Sequence, residues 1–175
     1  MLDLRHCSTG ADEEGIALAN LFLERGMITY TLGQKSAKQE FDAQSSKAVT
    51  KLPLVVIVNR STAGGGEIAA AALLNSKRAQ LVGERTYGDA AIRKAVTLND
   101  GSAVILSVAK YYSPDGKAIQ DNGVTPNILQ AEADTAVADG AADDSLADAV
   151  PDDAADSKKP ATDELLKRAL SLSEK

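Results

Sequence analysis

Leu54-Val-Val-Ile-Val58 is an unbroken apolar run, opened by Pro53 and closed by Asn59. A strand with no polar face has none to turn to water. It must be covered on both sides, the situation of a parallel sheet with helices packed on it. The next residues fit that reading. Ser61-Thr-Ala-Gly-Gly-Gly66 forms a turn, Glu67 to Ser76 is an Ala/Leu-rich helix, and Ala79 to Glu84 is a further short strand. Strand, helix, strand in this order predicts an α/β core.

The flanking segments extend the pattern. Residues 12–25 carry Ile16, Leu18, Ala19, Leu21, Phe22 and Leu23 behind Asp12, Glu13 and Glu14. This predicts an amphipathic helix with acids at the positive end of its dipole, stopped by Gly26. Ile28-Thr-Tyr-Thr31 reads as a strand and residues 33–50 as a polar, exposed excursion. Residues 92–98 and 102–112 read as strands joined by Asn99-Asp-Gly101, a hairpin signal. Pro114-Asp-Gly116 makes a second turn before Lys117 to Gln120. Met1 to Arg5 reads as the end of a buried strand, shorter than the roughly five or six residues usual for one. The expectation is a fragment, with a short native first strand as the alternative, and no leader peptide is legible in it.

The net charge of −6 is unevenly placed. Residues 130–156 hold acidic and no basic side chains, which leaves the rest close to neutral. That argues against a nucleic-acid binder. Residues 130–160, rich in Ala and Asp, are expected to be a disordered linker, because little apolar surface offsets their ordering entropy. Residues 162–173 predict a last helix, with Thr162 as cap and Leu165, Leu166, Ala169, Leu170 and Leu172 as a docking face. The expected organisation is a core over 1–129, a linker over 130–160 and a terminal helix over 161–175. No apolar run is long enough for a membrane helix. One Cys and one His exclude an internal disulfide, a thiolate cluster and a multi-histidine metal site, and no cofactor is expected.

The stretch Asn59 to Glu67 is the candidate functional segment. Its glycines allow close backbone approach, and a helix N-terminus offers free N–H groups. Glu67 would repel a phosphate. Two readings stay open here: an oxyanion hole, or tight strand–helix packing.

Several motifs together resemble the tail-specific, or C-terminal processing, serine proteases. They are Leu54 to Asn59 with Glu67-Ile68 and the helix after it, Arg78-Ala-Gln-Leu-Val-Gly-Glu-Arg-Thr-Tyr-Gly88, and Asp100-Gly-Ser102. The most specific are Tyr111-Tyr-Ser-Pro-Asp-Gly-Lys-Ala-Ile-Gln120 and Gly123-Val-Thr-Pro-Asn-Ile128. Leu2-Asp-Leu-Arg5 with Gly10 matches a loop that supplies part of that family's oxyanion hole. The resemblance implies a crotonase-like β-α layered core with antiparallel hairpin additions. It also implies a PDZ module and the first part of the protease core upstream, an extended peptide or protein C-terminal tail as ligand, and a periplasmic, secreted or envelope location.

The same resemblance exposes departures. The nucleophile position is Gly64, the lysine position is Asp89 and the glutamine position is Arg93. The oxyanion-hole groups map to Gly65 with Thr9 or Gly10. Glycine offers no nucleophile, and an ionised Asp89 opposes an oxyanion. Ser61 or Thr62 could act as displaced nucleophiles with Lys94 or His6 as base, or serve only as turn and cap residues. Asp89 reads as a water-activating base or as the partner of Arg93. Adjacent side chains on an extended segment diverge, which speaks against a Cys7–His6 couple. Glu67 and Glu84 read as a helix cap and a loop anchor, and Tyr87, Tyr111 and Tyr112 as packing residues. The expected function is a serine-peptidase family domain, degenerate in its chemistry. The alternative is a non-catalytic peptide-binding or scaffold module. As a fragment it is expected to self-associate.

Overall fold

The computed structural model describes residues 1–131 and 163–173. Within them the chain builds four layers. A parallel sheet has the order β1-β4-β5-β8, from β1 (Leu2–Asp3), β4 (Leu54–Val58), β5 (Ala79–Gly83) and β8 (Ile128–Leu129). An antiparallel sheet has the order β3-β2-β7-β6, from β2 (Met27–Gly33), β3 (Ser36–Asp42), β6 (Ala91–Thr97) and β7 (Ala103–Tyr112). Helices α1 (Asp12–Asn20) and α2 (Gly65–Asn75) lie between the sheets, and α3 (Glu164–Ser173) covers the outer face of the parallel one. The mixed α/β layered fold expected from the sequence is what forms.

β4 is buried along its whole length. Leu54, Val56 and Val58 join the large cluster with α1 and α2, while Val55 and Ile57 join Val82, Leu165 and Ala169 in a second cluster. Alternation along the strand divides the apolar run between two cores. α2 is buried from Gly66 through Leu73, which explains a helix that is apolar all round. Small residues let it approach α1 closely: a Cβ on Gly15 would come 2.1 Å from the Gly65 carbonyl oxygen.

Three local readings need correction. The first helix ends at Asn20, not at residue 25. Asn20 is buried and its Oδ1 accepts the Gln44 N–H at 2.7 Å, so the side chain serves the next loop, and Leu21 and Phe22 tighten into i→i−3 bonds. The polar stretch 33–50 contains β3 and a short 3₁₀ turn, Ser45–Lys47. β3 is an edge strand whose polar, exposed side chains hid its pairing with β2. Tyr87 is 70% exposed and does not pack, whereas Tyr111 is buried and Tyr112 stacks on Tyr30 at 4.9 Å.

The β6–β7 hairpin forms around Asn99-Asp-Gly101 as expected. Its outer half exposes Val96, Val104, Ile105 and Leu106. The acidic segment read as a linker, and Thr162 as a cap, lie outside the described residues. The start of α3 is capped by Asp163, whose Oδ1 accepts the Leu166 N–H at 2.9 Å. The stripe beginning at Leu165 is a docking face, with Leu165 and Ala169 buried and Leu170 left exposed.

Candidate active site

Three loops meet at the N-terminus of α2: residues 4–11 between β1 and α1, residues 59–64 between β4 and α2, and residues 84–90 between β5 and β6. Asn59 joins the first two. It is 1% exposed, and its Oδ1 accepts the N–H groups of His6 at 3.1 Å and Ser61 at 3.2 Å. Those donors fix the amide orientation, so Nδ2 faces His6 Nε2 at 3.2 Å. An amide N–H there makes Nε2 the accepting nitrogen of this contact. His6 thereby helps Asn59 to hold the two loops together.

Thr62 is fully buried. Its hydroxyl donates to the Leu4 carbonyl at 2.9 Å and accepts the Asn59 N–H at 3.1 Å. The Ala63 N–H donates to the Cys7 carbonyl at 2.9 Å. Ser61 is exposed at the tip of the turn. Thr9 and Gly10 lie on the exposed part of the first loop, with Gly10 at φ 107°. Gly65 is the first residue of α2, where no intrahelical acceptor exists for its N–H.

Glu67 ties the third loop to the helix. Its side chain has no exposed surface. One oxygen accepts the Thr86 hydroxyl and the Gly88 N–H at 2.7 Å, and the other accepts the Asp89 N–H at 2.7 Å and the Gly64 N–H at 3.2 Å. Thr86 in turn accepts the Val124 N–H at 2.7 Å. Burial pushes the Glu67 carboxyl above its ordinary range, against the pull of those donors. Beyond a helix cap, Glu67 is the residue that places position 89 beside position 64. Glu84 is a loop anchor, ion-paired with Arg60 at 2.6 Å.

The structure brings Gly64, Asp89 and Arg93 together. A Cβ on Gly64 would sit 3.4 Å from Asp12 Oδ1 and 3.8 Å from the Asp89 carbonyl oxygen. Asp89, in the loop, forms an ion pair with Arg93 on β6, not across the helical turn that would also have allowed it. Lys94 comes next on the opposite face of β6 and is not aimed where Arg93 meets Asp89. Asp12 is the group that sequence reasoning placed only at a helix front. Burial and the charges of Glu13, Asp89 and Glu67 push its carboxyl up, with Arg93 opposing. Among the described residues no cluster suited to a metal ion occurs.

A helix N-terminus entered through a small-residue turn, set in a β-α layered core, is a framework shared by serine-peptidase-type domains. The chain belongs to peptidase family S41, whose profile matches residues 1–130. It is 41% identical over 128 residues to carboxyl-terminal-processing peptidase 2, chloroplastic, of Arabidopsis thaliana, covering 73% of this chain and 25% of that protein. It is 39% identical over 129 residues to carboxy-terminal processing protease CtpA of Bacillus subtilis, covering 73% and 28%. The fold is similar to that of a photosystem II D1 C-terminal processing protease, with a TM-score of 0.68 and 35% identity, covering 74% of this chain and 34% of that one. The chain thus spans about a quarter to a third of the length of these proteins.

Proposed function

We propose that this domain engages extended polypeptide tails, as processing proteases do, without hydrolysing them by a Ser–Lys route. One observation carries the reading. At the α2 N-terminus, where the resemblance assigns the nucleophile, there is Gly64, and the nearest side-chain atom to its would-be Cβ is an oxygen of Asp12. Acyl transfer needs a hydroxyl there, a base to take its proton and donors for the developing oxyanion. Position 64 supplies no hydroxyl. Position 89 supplies a carboxylate held by Arg93. Thr62 has its hydroxyl engaged on both sides. The Gly65 N–H, with Thr9 or Gly10, is left to bind a carbonyl or carboxylate oxygen of a tail. An oxyanion hole without a nucleophile retains binding but not the covalent step, and loss of a nucleophile costs on the order of 10⁶ in rate. An envelope or secreted location belongs to the same reading.

The test pairs two measurements. A fluorophosphonate probe and an unstructured apolar-tailed peptide are offered to the chain and to its Ser61→Ala and Thr62→Ala variants. No labelling and no turnover are expected. Fluorescence anisotropy is expected to show the same peptide binding with a free C-terminal carboxylate and weakening when it is amidated. Labelling or turnover abolished by Ser61→Ala would establish a displaced nucleophile and overturn the non-hydrolytic reading. Binding indifferent to the amide would overturn the tail reading.

A further inference from the structure

We infer that Arg93 is the residue that reads the terminal carboxylate of a bound tail, and that the strand face beyond it selects an apolar side chain third from the tail's end. The inference rests on the tail-binding reading above and names what that site recognises. It begins from a charge imbalance. Glu13, Asp89 and Glu67 act on Asp12 with like charge, and the positive charge that opposes them is that of Arg93. A helix N-terminus carries only about half a positive charge. That is too little to draw a carboxylate into a place that already holds Asp12 and Asp89. A tail with a free carboxylate needs a full cation there. Arg93 supplies it, held by its ion pair with Asp89, whose carbonyl oxygen lies 3.8 Å from the would-be Cβ of Gly64.

The guanidinium is not used up by Asp89. Nη2 donates to Asp89 Oδ1, while Nε and Nη1 meet no acceptor among the described residues, and the side chain is 43% exposed. Its remaining donors lie in one plane, the fork that suits a carboxylate. The strand then sets a second requirement. Arg93 is opposite Ser107 and Ala95 is opposite Ile105 across β6 and β7, so these side chains share one face. All are exposed, Ile105 at 70%. Ala95 and Ile105 stand one side-chain repeat, about 7 Å, beyond Arg93 along the strand. Alternate side chains of an extended peptide have the same separation. A tail whose carboxylate lies on Arg93 and whose chain runs out along this face brings its third side chain from the end to Ile105. The surface there is apolar and uncharged, and it favours an apolar side chain over a polar one.

The test titrates the full chain, by fluorescence anisotropy, with labelled extended peptides that are free acids or amides and carry Val or Ser third from the end. The acid with Val is expected to bind at least about tenfold more tightly than its amide. Arg93→Gln should bring the two within about threefold by weakening the acid and leaving the amide unchanged. Equal weakening of both would mean a purely structural role and would overturn the proposal. An acid preference that survives Arg93→Gln would overturn it as well, with the tail-binding reading left standing. A native chain indifferent to the amide would overturn both. The preference for Val over Ser is expected to be about threefold or more and to vanish in Ile105→Ser while the acid preference stays. No such preference, or one that Ile105→Ser keeps, would overturn the selection assigned to that face. If Arg93→Gln fails to fold, Asp89→Asn decides with Arg93 in place. It frees the guanidinium and removes a repelling charge, so the acid should bind more tightly and the amide as before. Unchanged or weaker binding of the acid would overturn the proposal.

Discussion

Asp12 Oδ1 lies 3.4 Å from the point a Cβ on Gly64 would occupy. A carboxyl group of α1 thus sits over position 64, the one that the resemblance matches to the nucleophile. Gly64 also sits at φ 56° and ψ −124°, outside the region an L side chain adopts without strain.

Gly64→Ser is therefore expected to destabilise the fold by about 1–2 kcal/mol without creating a reactive hydroxyl. Urea denaturation reads the first part and fluorophosphonate labelling the second. A stable, labelled Gly64→Ser protein would show that Asp12 and the backbone both yield at this site.

Glu67→Gln should be the most damaging polar change in the site. The carboxylate accepts from four donors. An amide in its place turns a donor toward at least one of them, at a cost of about 1–3 kcal/mol. Glu84→Gln, which breaks a pair whose Arg60 side chain is 72% exposed, is expected to cost under about 1 kcal/mol. Equal losses in chemical denaturation would remove Glu67 from its central role.

The alkaline limb of stability is expected to depend on Tyr111. Burial, followed by the charges of Asp12 and Glu13, pushes its phenol from 10.0 up to about 12. The folded chain keeps this proton while the unfolded chain releases it near pH 10.0. The contribution is full below that value and is lost as the pH rises toward about 12. Denaturant midpoints measured across this window should fall more steeply for the native chain than for Tyr111→Phe. Parallel slopes would remove Tyr111 as the cause.

On α3, Leu165→Ala is expected to cost about 2–4 kcal/mol, because it opens a cavity against β4 and β5. Leu170→Ala, at a residue 46% exposed, should change stability by less than about 1 kcal/mol. Similar costs at both positions would mean that the helix docks by another face.

Much of the fold could be read from local chemistry. Leu54–Val58 announced its two covered faces, and Asn99-Asp-Gly101 announced its hairpin, because each signal is confined to a few adjacent residues. β3 could not be read this way. Ser36–Asp42 is held by pairing with β2, and its side chains carry no apolar face. The bonding roles of Asn20 and Asn59 were invisible for a related reason. A buried asparagine that serves loops far away in sequence looks, in one dimension, like any surface asparagine. Glu67 gave a partial signal, an acid three residues into a helix start. Its reach to Thr86, Gly88 and Asp89 depends on β5 returning beside β4. Asp12 passed as a dipole partner because only the crossing of α1 over Gly65 brings it to Gly64.

Arg5 divides its guanidinium between Asp3, at 2.8 Å, and Asp163, at 2.7 Å. One acid belongs to the sheet and the other to the outer helix, and Arg5 itself opens the loop that runs to Gly10. A cation shared in this way couples the two ends: changing either acid alters the ion pair left to the other, so the sheet edge and the outer helix do not respond to substitution independently.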